Sequence, residues 1–373
     1  MNTITLLNSF YREDVISDMI CHLINEEQDF AQWFAKEICG ADNMNAEFEA
    51  ETRVGLGRGI GTPDLVISRK VDGNMDTILV IENKLGALEG KEQTNRYASD
   101  EGRAKLLSAL EAGKGTPIQF LFLTLDPFTP AKNSTFAKMD FQKFIDVNWE
   151  ELIRDDSARK VIADYSALLK EFYEPITSAK PTDEISTKYQ KINSLQKKLI
   201  WIKLLQSFQR SLPDQLSMTF SEAGGFGRNA AVFLFSKEEW VRNRYDGKKM
   251  TADSVSVHFE LSIDLLSTNA KTDFYLHYEP NPYKPQKKYM KVDGYSDYEN
   301  LREKRTAIFH QKIDELSENS QFIKRNGSNS ILKINIEKND KFQEVIEELT
   351  ASMEKLTPLV DEMLNEKLAA TLI

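Results

Sequence analysis

The sequence predicts an α/β domain whose strands lie between helices, followed by a second domain of the α+β kind. Three observations lead there. Short β-branched runs alternate with helix-period segments up to residue 175, two prolines and polar neighbours interrupt the pattern at 175–181, and strands dominate beyond Pro213. A length of 373 residues exceeds what one core usually fills, which also favours two domains. The expected division is 1–175, a helical connector over 176–212, and an α+β domain over 213–373 for recognition of substrate or partner.

Taken in order, Phe10, Val15, Ile16, Met19, Ile20, Leu23 and Ile24 recur at helical spacing and predict a helix over 9–24. Ser9 is its expected N-cap, and Glu13 lies near its apolar edge. A second helix is expected over 28–39. From Glu47 to Val54 polar and apolar residues alternate, the period of a half-buried strand. The glycine-rich run Gly55–Gly61 lacks the Lys-Ser/Thr of a phosphate-binding P-loop and opens onto a strand, so it reads as a turn, with Arg58 a candidate phosphate contact.

Gly61-Thr62-Pro63-Asp64-Leu65-Val66-Ile67 and Ile78-Leu79-Val80-Ile81-Glu82-Asn83-Lys84 then read as two strands of a hairpin turned at Asp72-Gly73-Asn74. A polar helix over 89–112 carries Gln93, Arg96, Tyr97 and Arg103. Ile118–Leu125 is a strand stopped by Asp126-Pro127, Lys143–Val147 a last short strand, and Trp149 to Tyr173 a helix. In the second half, a helix over 185–212 precedes strands at Ala231–Phe235, Val255–Ile263, Phe274–Tyr278 and Ile331–Ile336, with helices over 297–318 and 341–369.

Charge at the hairpin's strand ends needs an explanation. Asp64 opens the first run and Glu82 and Lys84 close the second, where an unpaired buried charge costs roughly several kcal/mol. Alternation puts Glu82 and Lys84 on one face and Asn83 on the other. A hard dication such as Mg²⁺ or Mn²⁺ takes oxygen ligands of the kind that Asp64, Glu82 and the Asn83 carbonyl offer. A lysine two residues beyond the second carboxylate suits an attacking water or a phosphorane-like transition state. That is the chemistry of phosphodiester hydrolysis. A plain salt bridge between Glu82 and Lys84, with Asp64 capping a turn, accounts for each residue singly but not for the three together.

Pro63-Asp64, a hairpin, and Glu82-Asn83-Lys84 resemble the signature of the PD-(D/E)XK nuclease superfamily. Glu13 in an N-terminal helix is similar to the acidic residue that these nucleases often bring to the metal, and Gln93 with Tyr97 matches a Q-x-x-x-Y element of several branches. The resemblance spans roughly residues 8 to 172. It implies a restriction-endonuclease-like α-β-β-β-α-β sandwich core and a Mg²⁺- or Mn²⁺-dependent nuclease, DNA being the favoured substrate. Catalysis would fall to Glu13, Asp64, Glu82, Lys84 and Gln93, the last orienting Lys84 or a phosphate. Superfamily members are frequent in restriction, repair and phage defence. The alternatives are a nuclease-fold binding or sensor module with little activity, and a nuclease directed at RNA.

Composition sets further bounds. No apolar window reaches membrane-spanning length and the first twenty residues lack the order of a signal peptide, so a cytoplasmic location and no membrane partner are expected. Cys21 and Cys39 have no zinc spacing and read as core residues. A net charge of −10 is awkward for a polyanion-binding protein, but the charge is uneven. Lys180, Lys188, Lys191, Lys197, Lys198, Lys203 and Arg210 make a basic stripe, which a solvated helix face would also carry.

Tyr275, Tyr278, Tyr283, Lys284, Lys287, Lys288, Tyr289 and Lys291 interleave aromatics with lysines, as suits a groove that stacks bases and holds phosphates, or a lysine-guarded sheet edge. Candidate nucleic-acid contacts are therefore Arg58, Arg96, Tyr97, Lys197, Lys198, Lys284, Lys287 and Lys288. A homodimer or protein partner is the other use open to the second domain. His258 and His277 read as separate sheet residues, not spaced to share a metal. No Ser-His-Asp or Cys-His arrangement supports nucleophilic catalysis.

Overall fold

The computed structural model describes residues 2–365 apart from 41–45, 88, 191, 210–211, 213–215, 221–229, 244, 246–247, 267–270, 283–287, 289–290, 317–318, 328 and 338–339. The chain divides into two compact units, residues 1–177 and 178–373. No helix among the described residues is long and apolar enough to cross a membrane.

The first unit is built on a five-stranded mixed sheet in the order β1 (Glu47–Thr52), β2 (Leu65–Val71), β3 (Asn74–Lys84), β4 (Ile118–Thr124) and β5 (Phe136–Asp140). The pairs β1/β2 and β2/β3 are antiparallel, whereas β3/β4 and β4/β5 are parallel. Asp72 and Gly73 close the β2/β3 hairpin with φ of 51° and 74°, the left-handed pair that a two-residue hairpin turn demands. The parallel step to β4 needs a crossover, supplied by helices α4 (Gln93–Ala98) and α5 (Asp100–Ala109). β3 lies in mid-sheet and its last seven residues are all buried, so Glu82, Asn83 and Lys84 continue an apolar run into the interior.

Helices α1 (Thr3–Leu6), α2 (Glu13–Glu26), α3 (Gln28–Trp33), α6 (Trp149–Leu152) and α7 (Asp156–Thr177) complete the unit, α3 running on as a π-helical turn to Ile38. Several sequence expectations need correction. α2 begins at Glu13, not near Ser9, whose hydroxyl bonds the Leu7 carbonyl instead. The helix expected over 89–112 breaks at extended Ser99, whose Oγ accepts the Gly102 N–H, and a Cβ on Gly102 would stand 2.3 Å from the Arg96 carbonyl oxygen. The last strand is Phe136–Asp140, not Lys143–Val147. Residues 141–144 form a 3₁₀ turn instead, because its three-residue period buries both Phe141 and Phe144. α7 runs through Pro175 to Thr177, which moves the division from 175 to 177.

The second unit contains helices α8 (Ile185–Tyr189), α9 (Ser194–Phe208), α10 (Tyr295–Asp314) and α11 (Phe342–Met363). Its strands are β6 (Ser217–Phe220), β7 (Ala230–Ser236), β8 (Val241–Arg242), β9 (Val255–Asp264), β10 (Thr272–Pro280), β11 (Phe322–Lys324) and β12 (Ser330–Ile334). They form an antiparallel seven-stranded sheet, β11-β12-β10-β9-β7-β6, with β8 also on β9. The expected connector over 176–212 is part of this unit's core. Leu199, Ile200, Trp201 and Ile202 of α9 are fully buried, and the Trp201 ring lies 4.9 Å from that of Phe342 on α11. Asn193 starts α9 with a capping box, which divides the expected single helix in two.

Candidate active site

Alternation along β3 puts Val80, Glu82 and Lys84 on the face covered by α4 and α5, and turns Asn83 toward α2. The Asn83 amide donates to Ser17 Oγ at 3.2 Å and to the Glu13 carbonyl at 3.4 Å, which ties the start of α2 to the end of β3. Glu13 thereby reaches the strand end. Its Oε1 accepts the Leu85 N–H at 3.0 Å and its Oε2 lies 3.1 Å from Lys84 Nζ. Asp64, just before β2, accepts the Asn83 N–H through Oδ2 at 2.9 Å, and the same oxygen is 3.8 Å from Lys84 Nζ. Lys84 Nζ also donates to the Asn83 carbonyl at 3.1 Å, so that oxygen faces the cluster.

Glu82 is 0% exposed, and Lys84 Nζ stands 2.6 Å from its Oε1. That ion-pair contact misses hydrogen-bond geometry, and neither Glu82 oxygen has a hydrogen-bond donor among the described residues. Three carboxylates against one ammonium leave two negative charges uncompensated. Burial, and then the charge of Asp64, push the Glu82 carboxyl up to about 8, against the pull of Lys84. Burial alone would lower the Lys84 pKa, but Glu82, Glu13 and Asp64 together hold it above the usual lysine value. Both directions express one shortage of positive charge. Lys84 stays charged, and Glu82 takes up a proton near neutrality when no further cation is at hand.

The loop that delivers Asp64 is fastened from α4. Tyr97 Oη donates to the Thr62 carbonyl at 2.9 Å, and Arg96 Nε donates to the Ile60 carbonyl at 3.0 Å. Gly61, at φ 110°, presses against the Tyr97 ring, where a Cβ would meet the ring at 3.4 Å. Gln93 Nε2 donates to Tyr97 Oη at 3.3 Å and its Oε1 accepts the Gly90 N–H at 3.0 Å. Burial raises the Tyr97 pKa first, and Glu82 next, which puts the phenol within the field of the cluster.

This corrects two expectations. Tyr97 is 3% exposed and spends its hydroxyl on the Thr62 carbonyl, so it presents no surface to nucleic acid, whereas Arg96 is half-buried and donates to the Ile60 and Lys91 carbonyls. Gln93 acts on Tyr97 instead of on Lys84. Arg58 alone of the three arginine and tyrosine candidates is exposed, on the turn between Gly57 and Gly59. Sequence reading also missed Ser17 and Glu89, whose Oε1 accepts from the Thr94 N–H and hydroxyl while its Oε2 accepts the Lys132 N–H. An acidic residue five ahead of a helical threonine was the available signal.

Of the basic stripe in the second unit, Lys180 is exposed, Lys188 is half-buried, and Lys191 and Arg210 lie outside the described residues. Lys197 is buried, its Nζ donating to the Leu265 carbonyl at 2.8 Å and lying 4.5 Å from the Tyr189 ring centre, so it is not a phosphate contact. Burial lowers its pKa. Lys198 is half-buried, and Lys203 donates to the Ala179 carbonyl at 3.0 Å. Lys288 is exposed, while Lys284 and Lys287 lie outside the described residues. The reading that His258 and His277 stand apart is overturned by the register. They face each other across β9 and β10, rings stacked with centres 5.3 Å apart, and burial pushes His258 down to about 4.

No protein-family model, curated protein or solved structure matches this chain.

Proposed function

We propose that the protein is a metal-dependent nuclease of the PD-(D/E)XK kind that hydrolyses phosphodiester bonds, with DNA as its substrate. One observation carries the reading: a fully buried glutamate, Glu82, whose two oxygens have no donor, in a cluster two positive charges short. Its donors are hard oxygens, the set that Mg²⁺ or Mn²⁺ prefers. Asp64, Glu82 and the Asn83 carbonyl would hold the ion, with Glu13 braced against Lys84. The order of helix, three strands, helical crossover and strand around the cluster supports the same reading, as does the place of Gln93 and Tyr97 beside it. The preference for DNA rests on the resemblance alone.

Bound there, the dication supplies Lewis acidity and a water of lowered pKa. The protein's own groups do the rest. Lys84 brings a fixed positive charge to the attacking water or to a phosphoryl oxygen, where negative charge builds up. Asp64 is held in place by the Asn83 N–H and by the Tyr97 clamp on its loop. Asn83 and Ser17 fix Glu13, which sets the direction of Lys84.

The test is incubation of the purified protein with supercoiled, linear and single-stranded DNA and with RNA, in Mg²⁺, Mn²⁺ or EDTA. Metal-dependent cleavage of DNA that is lost in Lys84→Ala is the expected result. Cleavage of RNA alone would transfer the substrate. No cleavage of any substrate, together with no calorimetric binding of either ion, defeats the reading.

A further inference from the structure

The outer face of the second sheet carries a cluster that the nuclease reading leaves unused. Along β9, Ser256, His258, Glu260 and Ser262 alternate with the buried Val257, Phe259, Leu261 and Ile263, and along β10 Tyr275, His277 and Glu279 alternate with buried Phe274, Leu276 and Tyr278. Register makes these neighbours. His277 is opposite His258, Tyr275 opposite Glu260, and Glu279 opposite Ser256. Directly opposed residues on one face of an antiparallel pair have Cβ atoms about 5 Å apart, so two imidazoles meet there without a loop to bring them.

Ligand atoms of His258, His277 and Glu279 all lie within 4.8 Å of one another. His277 Nδ1 is already 3.1 Å from Glu279 Oε1, close to the spacing of adjacent ligands about 2.1 Å from a tetrahedral ion. All three come from two hydrogen-bonded strands, so their spacing is set by the sheet register. Glu260, on the same face, lies within the field of both His277 and Glu279.

We propose that His258, His277 and Glu279 form a second metal site, for a borderline transition-metal dication of which Zn²⁺ is the representative. Imidazole donors select such ions over Mg²⁺, whose oxygen-only demands the first unit's cluster fits. Three protein ligands leave a fourth position for water or another donor. The ion would cross-link β9 to β10 on the face away from the sheet's apolar core.

The experiment uses the full chain in excess Mg²⁺, which occupies hard-oxygen sites, with Zn²⁺ binding followed by calorimetry and Co²⁺ substitution by visible ligand-field absorption. One Zn²⁺ per chain, and Co²⁺ bands of mixed nitrogen and oxygen coordination, are expected in the wild type and equally in Asp64→Asn. His277→Gln and Glu279→Gln should each weaken Zn²⁺ by at least about 10²-fold, since even outer groups that merely orient ligands are worth 10–100-fold. Their melting temperatures in EDTA report whether the fold is kept. Absence of Zn²⁺ binding by the wild type, or unchanged affinity in folded His277→Gln and Glu279→Gln, overturns the proposal. Neither result bears on DNA cleavage, which is read separately.

Discussion

Each unit holds a charged cluster around one fully buried member, and the two differ in sign. In the second unit, Asp253 accepts from Arg305 Nη1 at 2.7 Å and from Arg242 Nη1 at 2.5 Å, and Arg305 Nη1 also donates to Tyr278 Oη at 3.0 Å. Two guanidiniums surround one carboxylate, and Arg305 of α10 is 0% exposed, with Nε and Nη2 unpartnered among the described residues. The first unit reverses this, with three carboxylates around one ammonium and the unpartnered atoms on Glu82. There Glu13 and Asp64 keep about a quarter of their side-chain surface exposed. The cationic surplus ties β8 and β10 to α10, whereas in the anionic one the unpartnered atoms are the carboxylate oxygens that the proposed ion would meet.

Four measurements would break or sharpen that contrast. The largest effect is expected for Asp253→Ala, which leaves buried Arg305 without its carboxylate and should destabilise the protein by about 3–5 kcal/mol in urea unfolding. A loss within experimental error would mean that the second cluster does not hold its unit together. Next comes Lys84→Ala, expected to lower the rate of cleavage about 10²–10³-fold in a variant that circular dichroism shows to be folded. Normal cleavage would reduce Lys84 to a structural ion-pair partner.

The pH dependence follows from Glu82. Its folded pKa of about 8 lies above its ordinary value of 4.5, so between those values the folded state holds a proton that the unfolded state has lost. In EDTA this contribution to stability is complete below about 4.5 and is lost as pH rises toward 8, whereas affinity for Mg²⁺ should rise over the same range as the proton leaves. Melting curves across this window should show Glu82→Gln flatter than wild type. Equal slopes would mean that Glu82 is ionised throughout. The smallest effect is expected for Tyr97→Phe, which deletes one hydrogen bond to the Thr62 carbonyl, worth about 1 kcal/mol. It should weaken Mg²⁺ binding modestly by loosening the Asp64 loop. Loss of cleavage with affinity intact would instead put the phenol at the substrate.

The candidate site was legible because its logic is local. Asp64, Glu82 and Lys84 are charges at the ends of β-branched runs, and strand alternation fixes that Glu82 and Lys84 share a face whatever packs on it. The hairpin was equally legible, since Asp72-Gly73 favours left-handed φ at both turn positions. Helix partners were harder. Gln93 and Tyr97 belong beside the site, yet a four-residue spacing says only that they share a helix face, not whether that face meets DNA or the backbone of residues 60–62.

By itself, then, the sequence determined β1 to β4 of the first sheet and β7, β9, β10 and β12 of the second, the face on which Glu82 and Lys84 stand and the turn that joins their strands, all consequences of backbone periods and side-chain chemistry over a few residues. Tertiary structure alone decided that Lys197 is buried under Leu265, that Phe141 and Phe144 wind into a 3₁₀ turn beyond β5, and that His258 meets His277. Each of these depends on what lies opposite. Register between strands and coverage of a helix face come from contacts among residues far apart in the chain, and no local period contains them.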